Sequence, residues 1–163
     1  MTTKSQQLQV RVTPAQKAAL KRFARRAGLD ISSYVLSRVL PPALSRFHEI
    51  VRALREEDDH RFALAALNDF LTGLAPAEFR EAVADVELKG LSPFLQNYVA
   101  AMVEQTAIQK SERPPAWAGD VPPLEGPHFA VPFSSLRPHL LRASPVAFKR
   151  RNIFVDSTVG DRV

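Results

Sequence analysis

The first patterned segment of the chain alternates polar and apolar residues. In Gln7-Leu8-Gln9-Val10-Arg11-Val12 every odd position is polar and every even position is apolar. This period of two is typical of a β-strand with one buried face. Thr13-Pro14 follows directly and provides a hydroxyl N-cap with proline at the first helical position. The pattern therefore changes from strand to helix at residue 13.

Two short helices are predicted next. Between Ala15 and Ala27 the apolar side chains fall on one helical stripe, and Gly28 follows where a left-handed C-cap residue is expected. A second helix is predicted to begin after Asp30, whose side chain can accept a hydrogen bond from the first free N–H groups. The Pro41-Pro42 pair should end or bend that helix.

Four longer helical patterns follow, over residues 43–57, Arg61–Gly73, 76–86 and Pro93–Gln109. Eight of the thirteen prolines then lie between Pro114 and Pro145, which argues against regular helix across that span. The same tail keeps many large apolar residues, unlike a disordered segment. We expect an extended arm with a short helix near 134–142, packed on its own chain, on a dimer mate or on another protein.

Charge divides the chain into three parts. The net charge of +5 is the sum of +8 over residues 1–47, −6 over residues 48–112 and +3 over residues 113–163. A basic head on an acidic middle indicates a polyanion-binding module joined to a region with another task. There is no cysteine, no apolar run of about 18 residues and no export signal, so a cytoplasmic protein without a membrane span is expected.

A strand and two helices, about 35 residues in all, are too few to bury an adequate core alone. A lone strand also leaves both of its edges unpaired. Both problems disappear if two chains pair their strands antiparallel and interlock their helices. Leu8, Val10 and Val12 would then face a shared core, and the polar positions of the strand would face outward together.

The segment resembles the ribbon-helix-helix family of DNA-binding proteins, of the MetJ/Arc type. The resemblance lies in the outward polar triad of the strand, in the Thr13-Pro14 helix start and in Ala27-Gly28-Leu29-Asp30-Ile31-Ser32-Ser33-Tyr34-Val35. It implies that Gln7, Gln9 and Arg11 contact base edges in the major groove as a two-stranded ribbon. The resemblance also implies a mainly α-helical fold and an intertwined homodimer. The implied partner is a double-stranded DNA operator.

The resemblance also implies a phosphate contact at the start of the second helix. The backbone amides of Ile31 and Ser32 and the hydroxyls of Ser32 or Ser33 would hold a phosphate, with Lys4 among the supporting cations. Asp30 departs from the family pattern, because serine or threonine often stands there and a carboxylate repels a phosphate. Asp30 is therefore expected to act as a helix cap.

A second segment of interest begins at Lys149. Three cations, Lys149-Arg150-Arg151, precede the apolar stretch Ile153-Phe154-Val155. Three interpretations stay open: a further nucleic-acid contact, a strand that docks on a partner's sheet edge, and self-packing with a basic surface. The residues expected to bind a protein partner are Trp117, Phe129, Phe133, Arg150, Arg151, Ile153 and Phe154.

Nothing in the sequence favours an enzyme. There is no glycine-rich phosphate loop and no nucleophile elbow. Arg55 and His60 have the spacing found in some helical ribonucleases, but the acidic residues between them would repel RNA. That acidic run is interpreted as a solvated helix end, so no metal, cofactor or catalytic residue is expected.

A ribbon-helix-helix head joined to a longer region resembles the antitoxins of bacterial toxin–antitoxin operons. The resemblance implies autorepression by a domain at 1–42 and neutralisation of a toxin by a proline-rich arm at 112–163, with a helical region at 43–111 between them. The alternative is a stand-alone repressor or DNA organiser without a toxin partner. A third possibility is an interaction scaffold that only dimerises through its head.

Overall fold

The computed structural model describes residues 9–39, 41–56 and 59–156 and divides the chain into two compact units, Met1–Leu40 and Pro41–Val163. The described residues are mainly helical, as predicted. The region predicted as the helical middle and the region predicted as the proline-rich arm belong to the same unit.

The N-terminal unit contains two helices, α1 (Pro14–Arg26) and α2 (Ile31–Val39). Residues 9–12 precede α1 and belong to no helix or ladder. A β-ladder needs a second strand, and a single chain of this unit offers none. Gln7 and Leu8 lie outside the described residues, so the ribbon stays a prediction.

Local sequence signals set both ends of α1. The Thr13 hydroxyl accepts a hydrogen bond from the Gln16 N–H at 3.3 Å, and the Gln16 side chain accepts one from the Thr13 N–H at 2.8 Å. This reciprocal capping box satisfies two otherwise free donors. At the other end Gly28 has φ +69°, as predicted, and Leu29 donates its N–H to the Ala24 carbonyl.

In the described part of the chain, the C-terminal unit is built from seven α-helices, one 3₁₀ helix and one small sheet. Its helical elements are α3 (Pro42–Glu56), α4 (Arg61–Gly73), α5 (Pro76–Ala82), α6 (Pro93–Gln109), α7 (Ala116–Asp120), a 3₁₀ helix (Ser134–Leu136), α8 (Arg137–Ala143) and α9 (Val146–Lys149). Strands β1 (His128–Phe129) and β2 (Ile153–Phe154) pair in parallel, His128 opposite Ile153.

Helix α6 is the centre of this unit. It carries buried residues on different sides of the helix, including Leu95, Ala100 and Ala101, so no broad face of it is left to water. A helix that is apolar all round belongs in an interior. Helices α3, α4 and α5 and the chain's last elements contribute Phe47, Leu67 and other side chains to the core around it.

Two sequence expectations for this unit are corrected. Helix α5 ends at Ala82 and not at residue 86, because the chain turns away at Val83, whose carbonyl accepts the Trp117 Nε1–H at 2.8 Å. Within the proline-rich span, residues 116–120 form the short helix α7, which the prolines on both sides frame without interrupting. The short helix expected near 134–142 is confirmed as a 3₁₀ turn followed by α8.

The tail packs on its own chain. Phe148, Ile153 and Val155 are fully buried members of the same core as α3 and α6. The strand predicted after the basic triplet, β2, pairs with β1 at residues 128–129 of the same chain. The sequence left three surfaces open for the arm: its own chain, a dimer mate or another protein. The structure shows it packed on its own chain.

Candidate nucleic-acid interface

The N-terminal unit presents an uncompensated positive surface. Its exposed cations form no ion pair among the residues that the structure describes. They are Arg11, Lys17, Lys21, Arg22, Arg25, Arg26 and Arg38. Asp30 is the single acidic residue up to position 47. The field of this unit therefore attracts a polyanion, and salt would screen that attraction.

Helices α1 and α2 are held together by a small aromatic contact. The rings of Phe23 and Tyr34 stack with their centroids 6.3 Å apart. The guanidinium of Arg38 lies 5.4 Å from the centroid of the Tyr34 ring, close enough for a cation–π contact. The ring contact joins the two helices, whereas the cation–π contact lies within α2.

A shallow concavity lies at that meeting point. Lys21 and Arg25 of α1 line one side, and Ile31 and Ser32 at the start of α2 line the other. Two residues predicted to bind phosphate thus lie beside two cations from the preceding helix. The free N–H groups of a helix start and two cations are a chemically suitable environment for an anion.

Asp30 caps α2, as expected from the sequence. Its carboxylate accepts the Ser33 N–H at 3.0 Å and the Ser33 hydroxyl. The proton of that hydroxyl is therefore directed at Asp30 and not at solvent. Ser32 is exposed, so of the two serines predicted to hold a phosphate it has the more accessible hydroxyl.

The predicted base-reading residues are only partly within the described residues. Gln9 and Arg11 are exposed, as a base-reading role requires. Gln7, predicted to read a base, and Lys4, predicted to contact phosphate, lie outside the described residues.

The same unit leaves apolar side chains without cover. Ala24 is the one buried residue of α1, and α2 has none. Val10, Val12, Phe23 and Val39 expose 67%, 42%, 47% and 72% of their surface. Within its described residues, a single copy of this unit therefore has almost no hydrophobic core. The sequence predicts that pairing of two copies supplies a shared core.

Three residues predicted to bind a protein partner are buried in their own chain: Arg151, Ile153 and Phe154. Arg151 is 4% exposed and Ile153 is 0% exposed. The Arg151 guanidinium is 2.7 Å from a Glu104 carboxylate oxygen and also donates to Asn97 Oδ1 and to the Ala118 carbonyl. In this conformation Arg151 and Ile153 are not accessible to a partner. Arg151 is hydrogen-bonded in the interior, and Ile153 packs in the hydrophobic core.

The sequence contains a signal for this buried pair on α6, outside the basic triplet. Asn97 and Glu104 are seven residues apart and so share one face of α6, an otherwise apolar helix. A carboxylate on a buried helix requires a cation close by. Arg151 is that cation.

The other residues predicted to contact a partner differ in exposure. Phe133 and Arg150 are exposed. Phe129 is half-buried, stacked on Phe154 with 4.8 Å between centroids and covered by the Arg137 guanidinium. Trp117 is half-buried, packs against the core and donates to the Val83 carbonyl.

Neither a metal site nor a membrane span is found in the described part of the chain. No three His, Cys, Asp or Glu side chains there are close enough together to hold a metal ion. Within the same residues, no helix is both long and apolar enough to cross a bilayer.

The N-terminal part of the chain matches a family of known proteins. The family model for NikA-like proteins, described as mobilization protein NikA, matches residues 2–69. The match covers the whole of α1, α2 and α3 and most of α4. No curated protein and no solved structure matches the chain. The chain is therefore similar to mobilization protein NikA over its first two-fifths.

Proposed function

We propose that this protein binds a specific double-stranded DNA site as a homodimer and that the site belongs to DNA that is mobilized. The observation that carries the proposal is the combination, in one small unit, of an uncompensated cationic surface and an uncovered apolar face. The similarity to mobilization protein NikA over the same residues supports a DNA partner, because mobilization is the transfer of DNA.

Dimerisation is required by the energetics of the N-terminal unit. Burying a large apolar side chain stabilises by about 1.5 to 3 kcal/mol. Val10, Val12 and Phe23 are all substantially exposed in the single chain, so a second copy has apolar surface to cover. Pairing of the two segments at residues 7–12 would also satisfy backbone groups of residues 9–12, which belong to no ladder in the described part of the chain.

Recognition would divide between bases and phosphates. Gln7, Gln9 and Arg11 would read base edges, each good bidentate contact discriminating by about 1 to 3 kcal/mol. Lys21, Arg25 and the start of α2 would contact phosphates and supply affinity without sequence information. The Asp30 carboxylate lines the same concavity and would repel a phosphate. The phosphate would therefore lie nearer to Ser32, Lys21 and Arg25 than to Asp30.

The test is a selection of bound duplexes from a random double-stranded library, with the purified full chain at fixed salt. We expect enrichment of one sequence that contains two related half-sites, because a symmetric dimer reads two of them. A matched selection with an Arg11→Ala, Gln9→Ala chain should enrich no such sequence. Retention of all library sequences equally by the parent chain would refute specific recognition.

The antitoxin role implied by the sequence resemblance stays a hypothesis. The tail was expected to wrap a toxin, but Arg151 and Ile153 of that tail are packed in the chain's own core. A toxin would have to bind exposed residues such as Phe133 and Arg150. The alternative of a stand-alone repressor requires only the dimeric DNA reader and is compatible with the proposal.

A further inference from the structure

One stretch of the C-terminal unit has no acidic residue. Between Glu125 and Asp156 there is neither aspartate nor glutamate. The stretch forms β1, the 3₁₀ helix, α8, α9 and β2. Six of its exposed or half-buried side chains are called here the acid-free face: Phe133, Leu141, Arg142, Val146, Lys149 and Arg150.

Internal contacts hold this face together. The Lys149 ammonium donates to the Arg142 carbonyl at 2.9 Å, which ties the end of α9 to the end of α8. The Ser144 hydroxyl, between these helices, bonds to the Val155 carbonyl at 2.7 Å and so joins them to the segment after β2. The cations of α8 and α9 are therefore positioned by a folded substructure and not by a loose tail.

Among the residues that the structure describes, no carboxylate pairs with Arg142 or Arg150 on this face. Both side chains are exposed. Arg151, the next residue, differs because it is buried and paired with Glu104. A surface with several cations and no carboxylate of its own favours a polyanion.

The apolar side chains on the face decide which polyanion fits. Phe133 is 65% exposed, and Leu141 and Val146 expose 49% and 56%. The outside of a duplex offers phosphates and sugars while its bases are stacked inside, so such side chains gain little from it. An unpaired strand offers base faces as well as phosphates, and an exposed aromatic ring can stack on a base.

We propose that the acid-free face binds single-stranded DNA, with Arg142 and Arg150 on phosphates and Phe133 stacked on a base. The site is separate from the duplex site proposed for the N-terminal unit, and either can fail alone. Cations arranged with stacking rings bind single strands with little dependence on sequence, so a weak sequence preference is expected.

The probe is a fluorescently labelled oligothymidylate of about 20 nucleotides, longer than the roughly 4 to 16 nucleotides of common single-strand sites. Its anisotropy is measured against the full-length chain over a range of salt concentrations. The Arg142→Gln, Arg150→Gln double variant should lower the slope of log affinity against log salt by about 1.4, since each single-strand phosphate contact contributes about 0.7. Phe133→Ala should weaken binding by about 5- to 150-fold, the loss of one stacked base.

Matched controls lie outside the face. Lys89 and Arg113 are exposed cations without an ion pair among the described residues, so Lys89→Gln, Arg113→Gln removes the same charge elsewhere. Phe62, which is 78% exposed, provides Phe62→Ala as the control for Phe133→Ala. Unchanged fluorescence of the single tryptophan, Trp117, verifies that each variant keeps the fold of the C-terminal unit.

The proposal is supported if the face variants lose affinity and the controls bind as the parent does. It is overturned if face variants and controls behave alike, which would leave the face to a protein partner. It is also overturned if an unlabelled duplex of equal length displaces the oligonucleotide as well as an unlabelled single strand does. If only Arg11→Ala or Lys21→Gln abolished binding of the oligonucleotide, the single-stranded DNA would bind the N-terminal unit. That outcome would also overturn the proposal.

Discussion

Arg151 and Glu104 form a buried ion pair, with 2.7 Å between Arg151 Nη2 and Glu104 Oε1 and side chains only 5% and 17% exposed. The pair joins the end of the chain to the central helix α6. The guanidinium also donates to the carbonyls of Ala118 and Val121, so it links α6, the segment around α7 and the chain's last elements.

Removing the cation should therefore destabilise the C-terminal unit strongly. Arg151→Ala leaves the Glu104 carboxylate and two carbonyls without their partner, and breaking a buried pair costs about 3 to 5 kcal/mol. Urea unfolding followed by Trp117 fluorescence measures the change, because the chain has one tryptophan and it packs against this core.

The neighbouring residue provides the control for that experiment. Arg150 is exposed and forms no ion pair among the described residues, so Arg150→Ala should change the free energy of unfolding by less than about 0.5 kcal/mol. Equal effects at the two positions would contradict the structural assignment of Arg151.

Asp59 is expected to titrate at unusually low pH. The Arg61 side chain and its backbone N–H both donate to the carboxylate and lower the pKa of Asp59 from 3.8 to about 2. Because the folded-state pKa is depressed, this contact favours the folded chain above pH 3.8, and the benefit is lost as pH falls through about 2.

Carboxyl-carbon NMR of the Asp59 side chain during an acid titration measures this shift. In Arg61→Gln the main hydrogen-bond donor is lost, so the pKa should return towards 3.8. A pKa near 3.8 for Asp59 in the parent chain would show that the contact with Arg61 does not form in solution.

Gly28 is predicted to be required for the turn between α1 and α2. Its φ of +69° is strained for any residue with a Cβ, although no atom would clash with one. Gly28→Ala should therefore cost about 1 to 2 kcal/mol. Amide exchange at Leu29, whose N–H bonds to Ala24, should quicken by about 5- to 30-fold.

The control for that substitution is a glycine with ordinary backbone. Gly73 also has open space where a Cβ would stand, and its φ is not positive. Gly73→Ala should leave stability unchanged or raise it by up to about 1 kcal/mol. If Gly28→Ala proved as harmless, the turn would not need a left-handed residue.

Much of the fold could be predicted because its signals are local. Thr13, Ser92 and the prolines after them mark helix starts that the structure confirms, and Gly28 marks a helix end. Such signals depend on hydrogen bonds within a few residues, so the sequence displays both partners.

What could not be predicted depends on contacts between distant residues. Trp117 donates a hydrogen bond to the carbonyl of Val83, 34 positions earlier in the sequence. Arg151 donates to the carboxylate of Glu104, 47 positions earlier. The basic triplet at 149–151 looked uniformly exposed because a sequence pattern does not show which cation meets a buried carboxylate. The base-reading ribbon stays a prediction for a similar reason, since its expected partner is a second chain.

Dimerisation through the N-terminal unit can be measured directly. Phe23 is 47% exposed in the single chain, so covering the exposed half of both copies in a dimer is worth about 1.5 to 3 kcal/mol, or roughly 10- to 150-fold in affinity. Sedimentation equilibrium of Phe23→Ala should show a dimer weakened by about that factor. Phe62→Ala, outside this unit, should dimerise as the parent does.

Because Phe23 also contacts Tyr34, a second variant separates dimerisation from folding of the unit. Val10 is 67% exposed in the single chain, so Val10→Lys disturbs little within one copy while placing a charge in the expected shared core. It should also weaken the dimer. A monomeric parent chain at micromolar concentration, or a dimer indifferent to both changes, would contradict pairing through this surface.

The central claim, that the N-terminal unit reads DNA sequence through its strand, is tested most directly by Arg11→Ala. The measurement is the ratio of affinities for the selected duplex and for a scrambled duplex of the same composition, at one fixed salt concentration. The proposal predicts that the ratio falls by about 5- to 150-fold for each of the two Arg11 side chains in the dimer, the value of one bidentate base contact each, while affinity for the scrambled duplex falls far less. An unchanged ratio in Arg11→Ala, with the parent chain specific, would contradict it.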